Sequence, residues 1–271
     1  MRLLIFPSSI YLTNYLTKNS FRSLFLGTSL GLMTLIVSQT AAAITTKNIT
    51  YMVDNQPYQG YYAKADKPNA PFILLIHDWD GLTEYERKRA DMLANEGYNV
   101  LAADMFGAGI RPTEIADRKR LTSALYEDRS KMRRLLQGAL NAGQQQGNNV
   151  REGVTMGYCF GGTVALELAR AGFPQKAFVP FHGELKIPTG QSYDKTVGEI
   201  LVIHGTADEV VPMEDFATLG KTLEATKVAH EMISYSGAEH AFTVFDSDKY
   251  DARADERSWK RYLDFLADKY K

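Results

Sequence analysis

The chain has one cysteine, Cys159, set in the run Gly157-Tyr158-Cys159-Phe160-Gly161-Gly162. A thiol attacks carbonyl carbon as its thiolate, so it needs a base, and the base needs a group that holds it in one orientation. Downstream, Asp208 closes the run Leu201-Val202-Ile203-His204-Gly205-Thr206-Ala207-Asp208, and His240 stands in Gly237-Ala238-Glu239-His240-Ala241-Phe242. Nucleophile, acid and histidine in that order match a known triad sequence, which makes Cys159, Asp208 and His240 the candidate catalytic set. Glu209 and Glu239 are neighbouring carboxylates that compete for the acid's place. Among the other histidines, His204 reads as structural, and His230 lies at a strand start on the wrong side of the sheet. His182, at a strand end, is placed to line a pocket, and His77 follows an apolar run. No two histidines have helical metal-ligand spacing and one cysteine cannot build a thiolate cage, so a metal site is not expected.

These residues must be positioned by a regular scaffold. Phe72-Ile73-Leu74-Leu75-Ile76 is a short apolar run of the kind buried on both faces of a sheet, and similar runs recur at 99–103, 154–156, 177–181, 200–203 and 231–235. Ile49 to Val53 and Tyr58 to Ala63, flanking Asp54-Asn55-Gln56-Pro57, predict an opening antiparallel hairpin. Helical patterns fill the intervals: 82–96 stopped by Gly97, 160–171 before Gly172, and 213–227 after Pro212. A last helix carries Trp259, Tyr262, Leu263, Leu266 and Tyr270 on one face. The stretch 111–146 reads as one helix or two. Alternating strand and helix predict an α/β fold, a mostly parallel central sheet with helices on both faces, whose functional residues gather at strand C-terminal ends. In that setting Cys159 occupies the sharp turn between a strand ending at Met156 and a helix beginning at Phe160. This is the nucleophile elbow of an α/β-hydrolase, with the helix N-terminus lowering the thiol pKa. The Phe160 backbone N–H is one oxyanion donor, and the loop after Ile76 is expected to supply the second.

Composition bounds the remaining possibilities. The 271 residues are 45% hydrophobic and 23% charged with a formal net charge of −1, ordinary globular values that offer no basic surface to nucleic acid. Residues 1–43 carry Arg2, Lys18 and Arg22 but no acidic residue. They run from a basic flank through an apolar stretch to Ala41-Ala42-Ala43, the pattern of a secretory signal cleaved after Ala43. A retained N-terminal anchor is the alternative, because Ser23 to Ala43 is uncharged and near bilayer-spanning length. Residues 44–271 then form one exported domain, periplasmic or secreted, without stable membrane association once the signal is removed. In an oxidising compartment a lone cysteine cannot pair within its own chain, so it is either buried and inert or reactive.

The Cys159 motif with Asp208 and His240, together with Ile76-His77-Asp78-Trp79-Asp80-Gly81, Ala103-Asp104-Met105-Phe106-Gly107, Phe181-His182-Gly183 and His240-Ala241-Phe242, resembles the dienelactone hydrolase family. The likeness spans nearly all of 50–271. It implies an α/β-hydrolase that opens small ester or lactone substrates with Cys159 as nucleophile, His240 as base and Asp208 as its orienter, without a cofactor. In that family an acid after the first central strand helps to activate the thiol. It is usually Glu and here is Asp78. The family's dienelactone hydrolases also hold a substrate carboxylate with two arginines. One of those places is Val244 here, and Arg111 stands several residues later than the other. A more apolar substrate is therefore expected, with Trp79, Tyr158, His182 and Arg111 as candidate contacts beside Val244 and Phe245. The competing reading is a non-catalytic exported module that binds a small molecule on the same fold.

Overall fold

The computed structural model describes residues 43–271, which lie within one compact unit. The segment read as a signal lies outside the described residues except for Ala43. Among the described residues, no helix is long and apolar enough to cross a membrane.

Eight strands form one sheet: β1 (Thr45–Val53), β2 (Gln56–Lys64), β3 (Phe72–Ile76), β4 (Asn99–Ala103), β5 (Val154–Tyr158), β6 (Ala177–Phe181), β7 (Glu199–Gly205) and β8 (His230–Tyr235). Their spatial order is β1-β2-β4-β3-β5-β6-β7-β8. The β1–β2 and β2–β4 pairs are antiparallel; every pair from β4 across to β8 is parallel. The apolar runs became the central strands because the sheet is covered on both faces: all residues of β3, β5 and β6 are buried. Leu74 and Ile76 pack toward α3 (Arg129–Gln145), α4 (Phe160–Arg170) and α5 (Met213–Ala225). Ile73 and Leu75 pack toward α1 (Glu84–Asn95) and α6 (Ala252–Lys269), as the two-residue period of a strand requires.

The hairpin turn is tighter than expected, and the stretch left open between one helix and two resolves. The hairpin turn is only Asp54-Asn55, both with positive φ (50° and 59°), so Gln56 and Pro57 belong to β2. Such a two-residue turn matches the twist of the strands it joins. The stretch 111–146 holds two helices, α2 (Ile115–Glu127) and α3, divided at Asp128, whose carboxylate caps α3 by accepting the Lys131 N–H at 2.8 Å. The parallel strands β3, β5, β6, β7 and β8 all point their C-terminal ends to the same edge, where the candidate residues collect.

Candidate active site

Cys159 sits between β5 and α4 with φ 48° and ψ −110°, backbone values that cost a non-glycine residue about 1–3 kcal/mol. Its neighbours hold it there. The Cys159 N–H donates to the Phe181 carbonyl at 2.9 Å, and the Cys159 carbonyl accepts the Thr163 N–H at 3.2 Å. A side chain at Gly157 would collide with the Gly161 backbone, and one at Gly161 with the Ile76 carbonyl, so the crossing of strand and helix needs both glycines.

His240, in the loop after β8, brings Nε2 to 3.2 Å from Cys159 Sγ and Nδ1 to 2.9 Å from Asp208 Oδ2. A carboxylate only accepts, so the ring proton resides on Nδ1 and the Nε2 lone pair faces the sulfur. Asp208, in the loop after β7, uses its other oxygen to accept the Val210 and Val211 N–H groups at 2.9 and 2.8 Å. Burial pushes its pKa up, but the His240 hydrogen bond and charge and these backbone donors outweigh that, holding it below the ordinary carboxylate value. A thiol, an imidazole and an ionised carboxylate therefore stand in one line, an array able to move a proton from sulfur to nitrogen.

The thiol itself differs from expectation. Burial first, then the charge and hydrogen-bonding interaction of Asp78 and the charge of Asp208, push Cys159 well above its usual pKa, against a lowering contribution from the Phe160 N–H. The helix end is present, yet burial of the sulfur and the two carboxylates prevail, so at rest the sulfur keeps its proton.

Asp78 is buried beside the sulfur, its own pKa raised to about 6 by burial and by the Asp80 charge. Its Oδ1 accepts the adjacent Trp79 N–H at 2.5 Å. The Asp78 N–H goes to Glu86 Oε1 at 3.2 Å, while Glu86 Oε2 accepts both the N–H and the hydroxyl of Thr83 at 2.8 Å. Glu86, absent from the sequence-derived set, thus caps α1 and ties down the Asp78 loop. His77 donates to the Asp78 carbonyl and accepts from the Met105 N–H at 3.1 Å, and burial lowers its pKa to about 4.

The candidate substrate contacts separate. Trp79 is part-exposed, with the Arg118 guanidinium 5.3 Å from its ring. Tyr158 is fully buried on the other side of the elbow, packed on Tyr85, Phe181 and His182. His182 is fully buried too: Nδ1 accepts the Cys159 N–H at 3.2 Å and Nε2 lies 2.9 Å from Thr243 Oγ1. Tyr158 and His182 therefore support the elbow from beneath and do not face a pocket. Arg111 spends its guanidinium on the Leu82 and Ile110 carbonyls, with Asp104 at 3.8 Å. His204 is held at the Val211 carbonyl, 2.9 Å away, and His230 at the Val228 carbonyl, 2.7 Å away. Among the described residues, no cluster of three or more His, Cys, Asp or Glu is arranged to hold a metal ion. A groove of about 700 Å³ opens at the opposite edge of the sheet, by Phe72, Asn99 and Lys176, and includes none of the candidate residues.

This sheet order, elbow and strand-end geometry define an α/β-hydrolase fold. The dienelactone hydrolase family model matches residues 58–270, and the chain belongs to that family, a carboxylic ester hydrolase by class. Relatives include a protein of Escherichia coli (strain K12) bearing a carboxymethylenebutenolidase name, 27% identical over 226 residues that cover 79% of this chain and 82% of that one. A similarly named protein of Saccharolobus solfataricus is 26% identical over 254 residues, covering 81% and 97%. Among solved structures, a dienelactone hydrolase-like promiscuous phosphotriesterase from metagenomic libraries superposes with a TM-score of 0.77 at 28% identity, covering 84% of this chain and 99% of that one.

Proposed function

We propose that this enzyme hydrolyses small esters or lactones through a Cys159 thioester. The observation that carries this reading is the line Cys159 Sγ to His240 Nε2 at 3.2 Å and His240 Nδ1 to Asp208 Oδ2 at 2.9 Å. As sulfur adds to the carbonyl carbon, His240 takes the thiol proton and the carbonyl oxygen turns its new charge toward the Phe160 N–H. The intermediate collapses, the C–O bond breaks, and His240 returns the proton to the departing alkoxide. Water, deprotonated by the same imidazole, then attacks the thioester, and the acid leaves as Cys159 regains its proton. The second oxyanion donor is expected from the loop after β3, where the Trp79 N–H is held at rest by Asp78 Oδ1.

Because Arg111 is committed to backbone carbonyls and Val244 stands where the family's other arginine would, the favoured substrate is an uncharged, apolar acyl compound. We also place the mature enzyme outside the cytoplasm, on the basic-apolar-Ala41-Ala42-Ala43 pattern; N-terminal sequencing of purified native protein tests this by starting at Ile44 or not. Aryl esters, lactones, thioesters and phosphate triesters assayed on the purified protein test the reaction. Cys159→Ala is expected to lose at least about 10³-fold in kcat with its melting temperature retained. Full turnover by that variant ends the proposal, and no activity across the panel favours the non-catalytic binding module.

A further inference from the structure

One buried cation takes no part in these steps. Arg89 on α1 is 1% exposed, and its Nη2 donates to Asp255 Oδ1 on α6 at 2.5 Å and to the Thr243 carbonyl at 2.8 Å. Its Nε donates to the Tyr85 hydroxyl at 3.3 Å. The rings of Phe245 and Trp259 lie 4.2 and 4.9 Å from the guanidinium carbon. Tyr250 donates to the other Asp255 oxygen at 3.1 Å.

Thr243 is where this cluster meets the site. It is fully buried, close behind His240 in the chain, and its Oγ1 lies 2.8 Å from the Tyr85 hydroxyl and 2.9 Å from His182 Nε2. His182 in turn accepts the Cys159 N–H. Hydrogen bonds thus run from Asp255 through Arg89, the Tyr85 hydroxyl, the Thr243 hydroxyl and His182 to the backbone of Cys159, while a second bond from Arg89 holds the Thr243 carbonyl. The segment between β8 and α6 that carries His240 belongs to no strand or helix; backbone turns order it internally, and the bond from Arg89 to the Thr243 carbonyl anchors it to α1. Ala241, next to the base, even sits at φ 63°.

A buried ion pair is a poor source of stability, since apolar side chains of similar volume serve as well or better. What an apolar replacement cannot supply is a directional bond to a loop carbonyl. Resting on the hydrolase reading above, we propose that Arg89 is a positioning residue. Locked by Asp255, it fixes Thr243, and through Thr243 it sets both the His240 loop and His182, and so the approach of His240 Nε2 to Cys159 Sγ.

A second buried pair supplies the contrast: Arg170 to Glu167 on α4, which touches Gln191 and Tyr193 and no residue of the site. The test compares Arg89→Met, Arg89→Lys, Thr243→Val and Arg170→Met in the full chain. The readouts are kcat and KM on an aryl ester, melting temperature, and the pH profile of Cys159 alkylation by iodoacetamide. Thr243→Val is expected to lower kcat about tenfold with KM within about twofold and to shift the alkylation profile, since small misplacements of catalytic groups are costly. Arg89→Met should lower kcat further. Arg89→Lys, which keeps the charge but not the fork, should regain melting temperature more than kcat. Arg170→Met should lower melting temperature and leave kcat and the profile as in the wild type. Wild-type kcat and profile in Thr243→Val overturn the route through His182, and wild-type kcat and profile in Arg89→Lys overturn the anchor on the Thr243 carbonyl, whether or not Arg89→Met folds. The alkylation profile needs no ester, so a wild-type protein that turns over no ester removes the hydrolase reading and leaves the positioning test readable.

Discussion

Two aspartates stand at strand ends on either side of one sulfur, and the fold treats them oppositely. Asp208 receives two backbone N–H groups and the His240 ring proton, so it remains ionised despite burial. Asp78 receives one backbone N–H at 2.5 Å, faces Asp80, and has its pKa raised to about 6. Burial raises both, and the donors that Asp208 receives outweigh it where the single donor to Asp78 does not. One carboxylate stays charged behind the His240 imidazole; the other titrates beside the thiol.

The largest effect should come from the charged member. Asp208→Asn leaves the shape but removes the acceptor that keeps the His240 proton on Nδ1, so kcat/KM should fall by about 10³-fold or more. A loss below tenfold would make the two aspartates equivalent. Asp78→Asn should act on the thiol instead. Removing a charge that raises the Cys159 pKa should move the alkylation midpoint to lower pH and accelerate labelling at pH 7. Slower labelling would show that Asp78 activates the sulfur by taking its proton.

The smallest effect concerns stability. Asp78 has a folded-state pKa of about 6 against an ordinary 3.8, so between those values the native state binds more protons than the unfolded one. Its contribution therefore turns unfavourable as pH rises through that window and is fully unfavourable above it. Asp78→Asn should raise the melting temperature by a few degrees at pH 7.5 and by nothing near pH 4. Asp208 has the opposite sign, because its lowered pKa stabilises the fold above the ordinary carboxylate value and the benefit is lost as pH falls. Asp208→Asn should therefore narrow its stability deficit in acid.

Much of this was legible in residue order. Phe72–Ile76, Asn99–Ala103 and Ala177–Phe181 coincide with β3, β4 and β6 because a parallel strand buried on both faces writes itself as an unbroken apolar run. Cys159, Asp208 and His240 meet in the structure, and strand-end position and chain order are what made that meeting legible. The protonated thiol was not legible, since it depends on two carboxylates that meet only in three dimensions. Nor were Tyr158 and His182, whose strand-end places suggested a pocket although their rings turn beneath the elbow. Arg89 and Glu86 escaped because charged residues in a polar helix read as solvent-facing. The available signal was their spacing with Ala90, Leu93 and Ala94, which puts both charges on the buried face of α1.

A covalent intermediate on Cys159 is tested most directly by acid quench of the wild-type enzyme during turnover of an aryl ester, followed by peptide mass mapping. The expected result is the acyl mass on the peptide containing Cys159, and no such adduct in Cys159→Ala. Turnover with no acylated cysteine, or an adduct that persists in Cys159→Ala, would contradict it.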